Sequence, residues 1–358
     1  MTACYGEGIL PTETKVMNEF ITIAIPCYNR IEYFNEAIQG ALNQTVPCRI
    51  LVVDNASPTD DYERACTALE DPRIRYVRNE TNVGMFGNWN RCIELSDTPY
   101  IHILGDDDVV SIRYVESFMN AMSENPLMDI FFSGVRHMGS SDGMFCENDG
   151  SKVPFGWINS EDLRWWAGFR GLKMPSVSAT FRKSLFSHGG FNVKRHSAND
   201  YEFIYTLPRG SVLYGSTDTL YTYRIHPMAD TAKNYGVAFC NYPLIYHRAA
   251  GLASTDYPGL KGTVLSFLLR MQADGAMSWW AQVYAPLARQ IARGEMPGYE
   301  DLRDLIESSY PELHRKLLSE DSSGETTTAR PRFTMRILSG FGFVFSLLQR
   351  LRISAATP

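Results

Sequence analysis

Three consecutive aspartates, Asp106, Asp107 and Asp108, stand directly behind the apolar run "YIHILG" of residues 100–105. Carboxylates crowded this closely repel one another, so the group needs either full solvation or a cation. Hard oxygen ligands of this kind suit Mg²⁺ or Mn²⁺, which take one or two carboxylates and complete their shell with phosphate oxygens and water. An Asp-rich turn in open water uses the same residues, and the triplet alone leaves both readings open. Further polar residues recur at comparable positions upstream: Cys27, Tyr28 and Asn29, then Asp54 and Asn55, then Asn79. A carboxylate pair, Asp200 and Glu202, follows much later in "NDYEF".

The elements that must position these groups alternate. "FITIAIP" (residues 20–26), "RILVVD" (49–54), "IRYVRN" (74–79) and "YIHILG" (100–105) are short, β-rich runs, and the segments between them have helical spacing. That alternation predicts an α/β fold, a sheet with helices on its faces. Ligands of open α/β sheets bind outside the carboxyl ends of the strands, so the polar residues above are expected to share one crevice. Downstream, residues 128–135 read as another strand, and "SSDGMFCENDGSKVPFGW" (140–157) as loop or a small β excursion. "SVLYGSTDTLYTYRIH" (211–226) reads as a strand pair, and the pattern is wholly helical beyond residue 235. Residues 320–331 are polar and lack apolar anchors, as a flexible linker does.

Of 358 residues, 34 are Lys or Arg and 40 are Asp or Glu, a formal net charge of -6 that speaks against nucleic acid as a partner. Seven cysteines are scattered without a C-x-x-C pair and read as reduced, mostly buried thiols of a cytoplasmic protein. The N-terminus has neither the basic start nor the apolar core of a secretory signal. The apolar stretch "ILSGFGFVFSLL" (337–348) is shorter than the ~20 residues that span a bilayer.

The order and spacing of these pieces resemble glycosyltransferase family 2, the inverting nucleotide-sugar-dependent enzymes with the GT-A fold, over roughly residues 20 to 231. "IPCYNR" matches the family's P-x-Y-N through Pro26, Tyr28 and Asn29, with Arg30 following. "VVDNASPTDD" is similar to V-V-D-D-G-S-x-D, and "NETNVGMFGNWNRCIE" to N-x-G-x-x-x-A-x-N through Asn82, Gly84 and Asn90. "ILGDDDVVS" takes the place of the D-x-D motif. "GGFNVKRHSANDYEF" looks like G-G-F-D followed by E-D-x-D/E, and "YTYRIHPMADT" like Y-R-x-H-x-x-x-x-S/T.

The resemblance implies a GT-A mixed sheet flanked by helices, with a helical C-terminal extension, that binds a nucleotide diphosphate sugar. It implies donor-binding roles for Pro26, Tyr28, Asn29, Arg30, Asp54, Asn55, Asn82, Gly84, Asn90, Asp106 and Asp107, with Asp54 on the nucleobase. It implies Mg²⁺ or Mn²⁺ on Asp106 and Asp108 with His226, Asp107 remaining a candidate, and Asp200 as general base with Glu202 as second choice. Asn55 stands where the family has a second acid, Asn199 where it has Glu, and Gly105 where many relatives carry the first Asp of the metal motif. His102 reads as a core histidine. Trp165 and Trp166 fit an acceptor platform or the sheet's second face, and Arg182 and Arg224 fit phosphate contacts or surface ion pairs.

The expected organisation is an N-terminal extension (1–19), a catalytic domain (20–235), a helical extension (236–319), a linker (320–331) and an amphipathic C-terminal segment (332–358). Residues 332–352 set arginines at both ends of an apolar centre. They suit a helix packed on the domain or one lying on an anionic membrane, and the linker before them favours a peripheral contact on the cytoplasmic face. A glycan or lipid-linked acceptor in surface polysaccharide synthesis is the expected partner. Two rivals are weighed against this. A sugar-phosphate nucleotidyltransferase would need a G-x-G-x-R-L loop where "PCYNRIEYF" stands, and a non-catalytic membrane-associated scaffold would have no use for Asp200.

Overall fold

The computed structural model describes residues 20–139, 155–172, 174–194, 198–229 and 235–319. The N-terminal extension, linker and C-terminal segment expected from the sequence, with its membrane contact, lie outside these residues. Four parallel strands build one half of the sheet: β1 (Ile21–Cys27), β2 (Arg49–Asp54), β3 (Ile74–Arg78) and β4 (Tyr100–Ile103). Helices α1 (Ile31–Leu42), α2 (Asp61–Ala68) and α3 (Met85–Leu95) connect them. The chain then runs through β5 (Val109–Val110), α4 (Tyr114–Glu124), β6 (Ile130–Met138), β7 (Gly156–Asn159), α5 (Ser160–Arg170), a 3₁₀ turn (Ser176–Ser178), β8 (Thr180–Arg182), α6 (Asn199–Tyr205) and β9 (Val212–Arg224). The strand order is β3-β2-β1-β4-β8-β6-β9-β5, with β7 added on β9. Antiparallel β8 joins the parallel half to the rest, so the sheet is mixed.

Alternation along the central strands decides which core each residue joins. Ile21, Ile23 and Ile25 of β1 and Ile50 and Val52 of β2 pack with Phe34, Ile38 and Phe118 on one face. Ala24, Leu51 and Val53 turn to the other face, against Phe86, Leu163 and Ala249. This is the two-residue period of a strand buried on both sides. In α1 the buried residues Phe34, Ala37, Ile38 and Ala41 recur at three and four, which fixes the face it lays on the sheet.

The expected strand pair at 211–226 is instead one strand, β9, thirteen residues long. "GSTD" has turn composition, but register shifts beside Gly134 absorb the irregularity. A side chain at Gly134 would crowd Thr219 Oγ1 at 3.1 Å, which is why the two strands close up there.

Beyond β9 the chain is helical: α7 (Tyr235–Cys240), α8 (Tyr242–Asp256), α9 (Leu260–Val283), α10 (Ala285–Ala292), α11 (Glu300–Ser309) and α12 (Pro311–Ser319). α8 and α9 contribute Ile245, Ala249, Leu265 and Leu269 to the sheet's core, while Trp280, Ile291, Leu302 and Ile306 form a separate one. None of the helices among the described residues is long and apolar enough to cross a membrane. Five cysteines (Cys27, Cys48, Cys66, Cys92 and Cys240) are buried free thiols.

Candidate active site

The loops after β1, β2 and β4 meet at the carboxyl edge of the parallel strands. β1 and β4 are neighbours, so the loop after β1 falls beside the aspartate triplet. Asp106 is fully buried, and its Oδ2 accepts from the Tyr28 amide at 3.3 Å and the Tyr62 hydroxyl at 3.1 Å. Its Oδ1 accepts from Arg30 Nη2, while Arg30 Nη1 donates to Asp107 Oδ2 at 2.6 Å. One guanidinium therefore forks across two carboxylates. Asp108, also buried, accepts from Tyr221 Oη at 2.6 Å and from the Arg224 amide at 2.8 Å. Thus β9 supplies the other wall.

Burial sets the charge of these groups. It pushes the Asp106 carboxyl up to about 6, with Arg30 opposing and the Asp107 charge adding to the rise. Burial raises Asp108 as well, and the neighbouring Asp107 charge raises it further. Asp107 is the least buried of the three. Its Oδ2 also lies 2.9 Å from His226 Nε2, and its Oδ1 accepts no protein hydrogen bond among the described residues.

Gly105 leaves the space in which these oxygens converge. A Cβ there would lie 2.9 Å from both Asp107 Oδ1 and Asp108 Oδ2. Two hard acceptors over a side-chain-free backbone fit Mg²⁺ or Mn²⁺, which complete their shell from phosphates and water. Among the described residues no group of three His, Cys, Asp or Glu side chains forms a closed metal cage. Of the pair favoured from sequence, Asp106 is held by Arg30, Tyr28 and Tyr62, whereas Asp108 shares the Gly105 space with Asp107.

Asp54 is fully buried beneath the same edge. Its Oδ1 accepts from the Ser57 amide (2.9 Å) and hydroxyl (2.5 Å), and its Oδ2 from Tyr76 Oη at 3.0 Å. Asn55, Asn79, Asn82 and Asn88 form an amide network: Asn55 donates to Asn82 Oδ1 and the Gly84 carbonyl, while Asn79 donates to both Asn55 and Asn88. Neutral Asn55 can give and accept in this net, which an aspartate could not. Asn29 and Ala56, at the ends of β1 and β2, hold φ of 51° and 59°. Such left-handed residues recur at functional loops. Pro26, next to last in β1, lies in register with Val53, and Tyr28 remains 44% exposed beside the crevice.

Asn90 faces elsewhere. Its amide donates to the Phe191 carbonyl and accepts from the Phe191 amide, both at 2.8 Å, clamping α3 to the "GGF" turn. Gly190 permits the approach, since a Cβ there would collide with Asn90 Oδ1.

Asp200 is the second residue of α6, which starts after Ala198, whose φ is 57°. Ser176 Oγ donates to its Oδ2 at 2.5 Å. Burial holds this carboxyl above the usual range, and the Ser176 hydroxyl opposes the rise. Ser178, two residues on, exchanges hydrogen bonds with the Ser133 backbone of β6, and its carbonyl accepts from Tyr114 Oη. Val177 packs in the cluster that holds Tyr221. This turn ties Asp200 to the strands around the triplet. Glu202 ion-pairs with Arg248 of α8, whose other nitrogen reaches Asp301 of α11 at 2.8 Å.

Ser176, Tyr62, Tyr221 and Arg248 were not candidates from sequence. Tyr221 stands in the "YTYR" stretch and carried a signal, whereas "PSVSA" carries none. His102 is a core histidine: it is fully buried and its Nδ1 faces the Ala179 carbonyl at 3.1 Å. Arg182 pairs with Asp129, Arg224 with Glu36, and Trp165 packs against the core on the α5 side of the sheet.

The Glycosyl transferase family 2 model matches residues 22–162. Glycosyltransferase GlyG of Streptococcus pneumoniae serotype 4 is 30% identical over 132 residues, covering 36% of this chain and 43% of that protein. Hyaluronan synthase of Pasteurella multocida is 22% identical over 70% of this chain and 25% of its own length. The chain thus spans less than half of either relative. Among solved structures, S. aureus TarS 1–349 in complex with UDP-GlcNAc superposes with a TM-score of 0.56 at 14% identity, over 82% of this chain and 92% of that one. That likeness is one of fold.

Proposed function

We propose that this chain, which belongs to glycosyltransferase family 2 through residues 22–162, moves a sugar from a nucleotide diphosphate sugar to an acceptor hydroxyl with inversion at the anomeric carbon. The observation that carries the reading is the Ser176–Ser178 turn. It joins a half-buried carboxylate, Asp200, to β6, the strand paired with the β9 wall of the Asp106–Asp108 cluster.

The donor's nucleoside lies against Tyr28, Asn29 and the floor made by Asp54, with the Asn55, Asn82 and Gly84 network shaping the loop beside it. Its diphosphate extends toward the triplet. Asp107 and Asp108 would hold Mg²⁺ or Mn²⁺ there, with His226 beside Asp107 and Asp106 fixing Arg30. The ion, when bound, supplies Lewis-acid neutralisation of the leaving diphosphate. An acceptor oxygen attacks C1 and its proton passes to Asp200. The bond from C1 to the β-phosphate oxygen breaks, and the nucleoside diphosphate departs from the opposite face. A raised carboxyl is a stronger base for that proton, which suits Asp200 to general-base work. Glu202, paired with Arg248, steadies the helix that carries it.

Relatives named for hyaluronan and colanic acid synthesis favour a glycan or lipid-linked acceptor in surface polysaccharide synthesis. A peripheral attachment through residues 332–352 belongs to the same reading. A panel of UDP-, GDP- and dTDP-sugars, with Mn²⁺ or Mg²⁺, tests it by thermal shift and slow donor hydrolysis. A metal-dependent shift with one nucleotide class is the expected result. Silence toward every donor with metal present would favour the scaffold rival. Pyrophosphate release from a nucleoside triphosphate and a sugar phosphate would favour the nucleotidyltransferase.

A further inference from the structure

We propose that Arg30 is a displaceable counter-cation of the acidic cluster, one that yields Asp107 to an incoming divalent ion and then faces the donor's diphosphate. The inference rests on the metal reading above and concerns what occupies the carboxylates before the ion arrives. Three consecutive aspartates, two of them buried, require positive charge nearby. Arg30 provides it as a fork, Nη2 on Asp106 Oδ1 and Nη1 on Asp107 Oδ2.

The two halves of that fork are unequally fixed. Asp106 is wholly buried and also held by Tyr28 and Tyr62. The backbone of Arg30 itself donates to Tyr62 Oη at 2.9 Å, so the root of the side chain is anchored at the same point. Asp107 is 13% exposed and Arg30 24%, so their contact is the end that opens to solvent. The Arg224 guanidinium cannot substitute, because it is spent on the Asp107 carbonyl and Glu36. His226 reaches Asp107 as well, and its Nδ1 is buried without a hydrogen-bond partner among the described residues.

A divalent ion on Asp107 and a guanidinium on the same carboxylate repel each other at contact distance. Metal entry therefore lifts Nη1 off Asp107 while Nη2 stays on Asp106. The freed donors of Arg30 then point into a site receiving a diphosphate, to which a guanidinium bonds well. The consequence is a metal affinity that is low for the protein alone and rises with nucleotide.

Mn²⁺ titration of the full chain without nucleotide, read by electron paramagnetic resonance, tests this with Arg30→Met and Arg30→Lys. The expected result is Mn²⁺ binding at least tenfold tighter in Arg30→Met, and a melting temperature that falls without metal and recovers with Mn²⁺. Arg30→Lys keeps a cation but loses the fork, and should bind at least threefold tighter. It decides the question if the Met variant does not fold. Equal or weaker binding in the folded variant, with wild type binding Mn²⁺ normally, overturns the role of Arg30 and leaves the metal reading standing. No Mn²⁺ binding by any form at millimolar metal overturns both.

Discussion

His102 should make the protein lose stability on mild acidification in a way that one substitution removes. The imidazole of this β4 residue is fully buried against Tyr114 and Tyr221, its Nδ1–H donates to the Ala179 carbonyl, and its Nε2 has no partner among the described residues. A second proton would sit on that unpartnered nitrogen, and burial accordingly pulls the folded-state value down to about 4 from 6.5. The folded-state value is depressed, so acid favours the unfolded chain, which binds the proton first. The contribution is whole above pH 6.5 and is lost as pH falls toward 4. Integrating the difference gives a loss of about 2 kcal/mol between pH 7.5 and pH 5.

Asp106 runs the other way, because its raised folded-state value makes acid relieve a buried charge. Its contribution is fully present below the ordinary carboxylate range and is lost as pH rises through about 6. The wild-type curve alone therefore understates the histidine, and the comparison must be with His102→Asn, whose amide retains a donor toward Ala179. Urea unfolding of both proteins at pH 7.5, 6 and 5 should show their stability difference shifting by about 2 kcal/mol in favour of the variant as pH drops. A difference that stays constant across that range would refute the reasoning, because no proton would then be taken up by the unfolded chain in preference to the folded one.

Asp200→Asn should lower sugar transfer by about 10²–10⁴-fold while leaving the donor-induced thermal shift in place, since the amide fills the same space but takes no proton. An equal loss of donor binding would count against a base role. Gly105→Ala should abolish Mn²⁺-induced stabilisation, because its methyl would stand 2.9 Å from both Asp107 Oδ1 and Asp108 Oδ2 and fill the space those oxygens share. Unchanged Mn²⁺ stabilisation would place the ion elsewhere. Asn90→Ala should cost about 1–3 kcal/mol in urea unfolding by leaving both Phe191 backbone groups unpaired. A neutral effect would mean that water replaces the clamp.

Much of the sheet was legible because β1, β2 and β4 are buried on both faces, and such strands must be written as continuous apolar runs. Their polar ends marked the crevice for the same reason: the switch from apolar to polar occurs where the strand leaves the core. Strand β9 reads as two in the sequence because a bulge and a turn draw on the same residues, and only the partner strand distinguishes them. The candidate residues near the triplet were found as types, but their partners were hidden. Nothing in "PSVSA" shows that Ser176 will meet a carboxylate 24 positions later in the chain. Likewise Asn90 reads as a polar residue at a motif position, and only the fold shows its amide bound to a backbone 101 residues away.

The bridge from Glu202 through Arg248 to Asp301 bears on how far the working unit extends. The stretch recognised by family likeness stops at residue 162, yet the helix bearing Asp200 is buttressed by α8 and, through it, by α11. A fragment trimmed at the end of β9 would lack Ile245, Ala249 and the rest of that seam, would bare the core residues they cover, and would take Arg248 from Glu202. The later helices are struts of α6, and a piece of this chain that keeps the bridge from Glu202 through Arg248 to Asp301 must reach into α11.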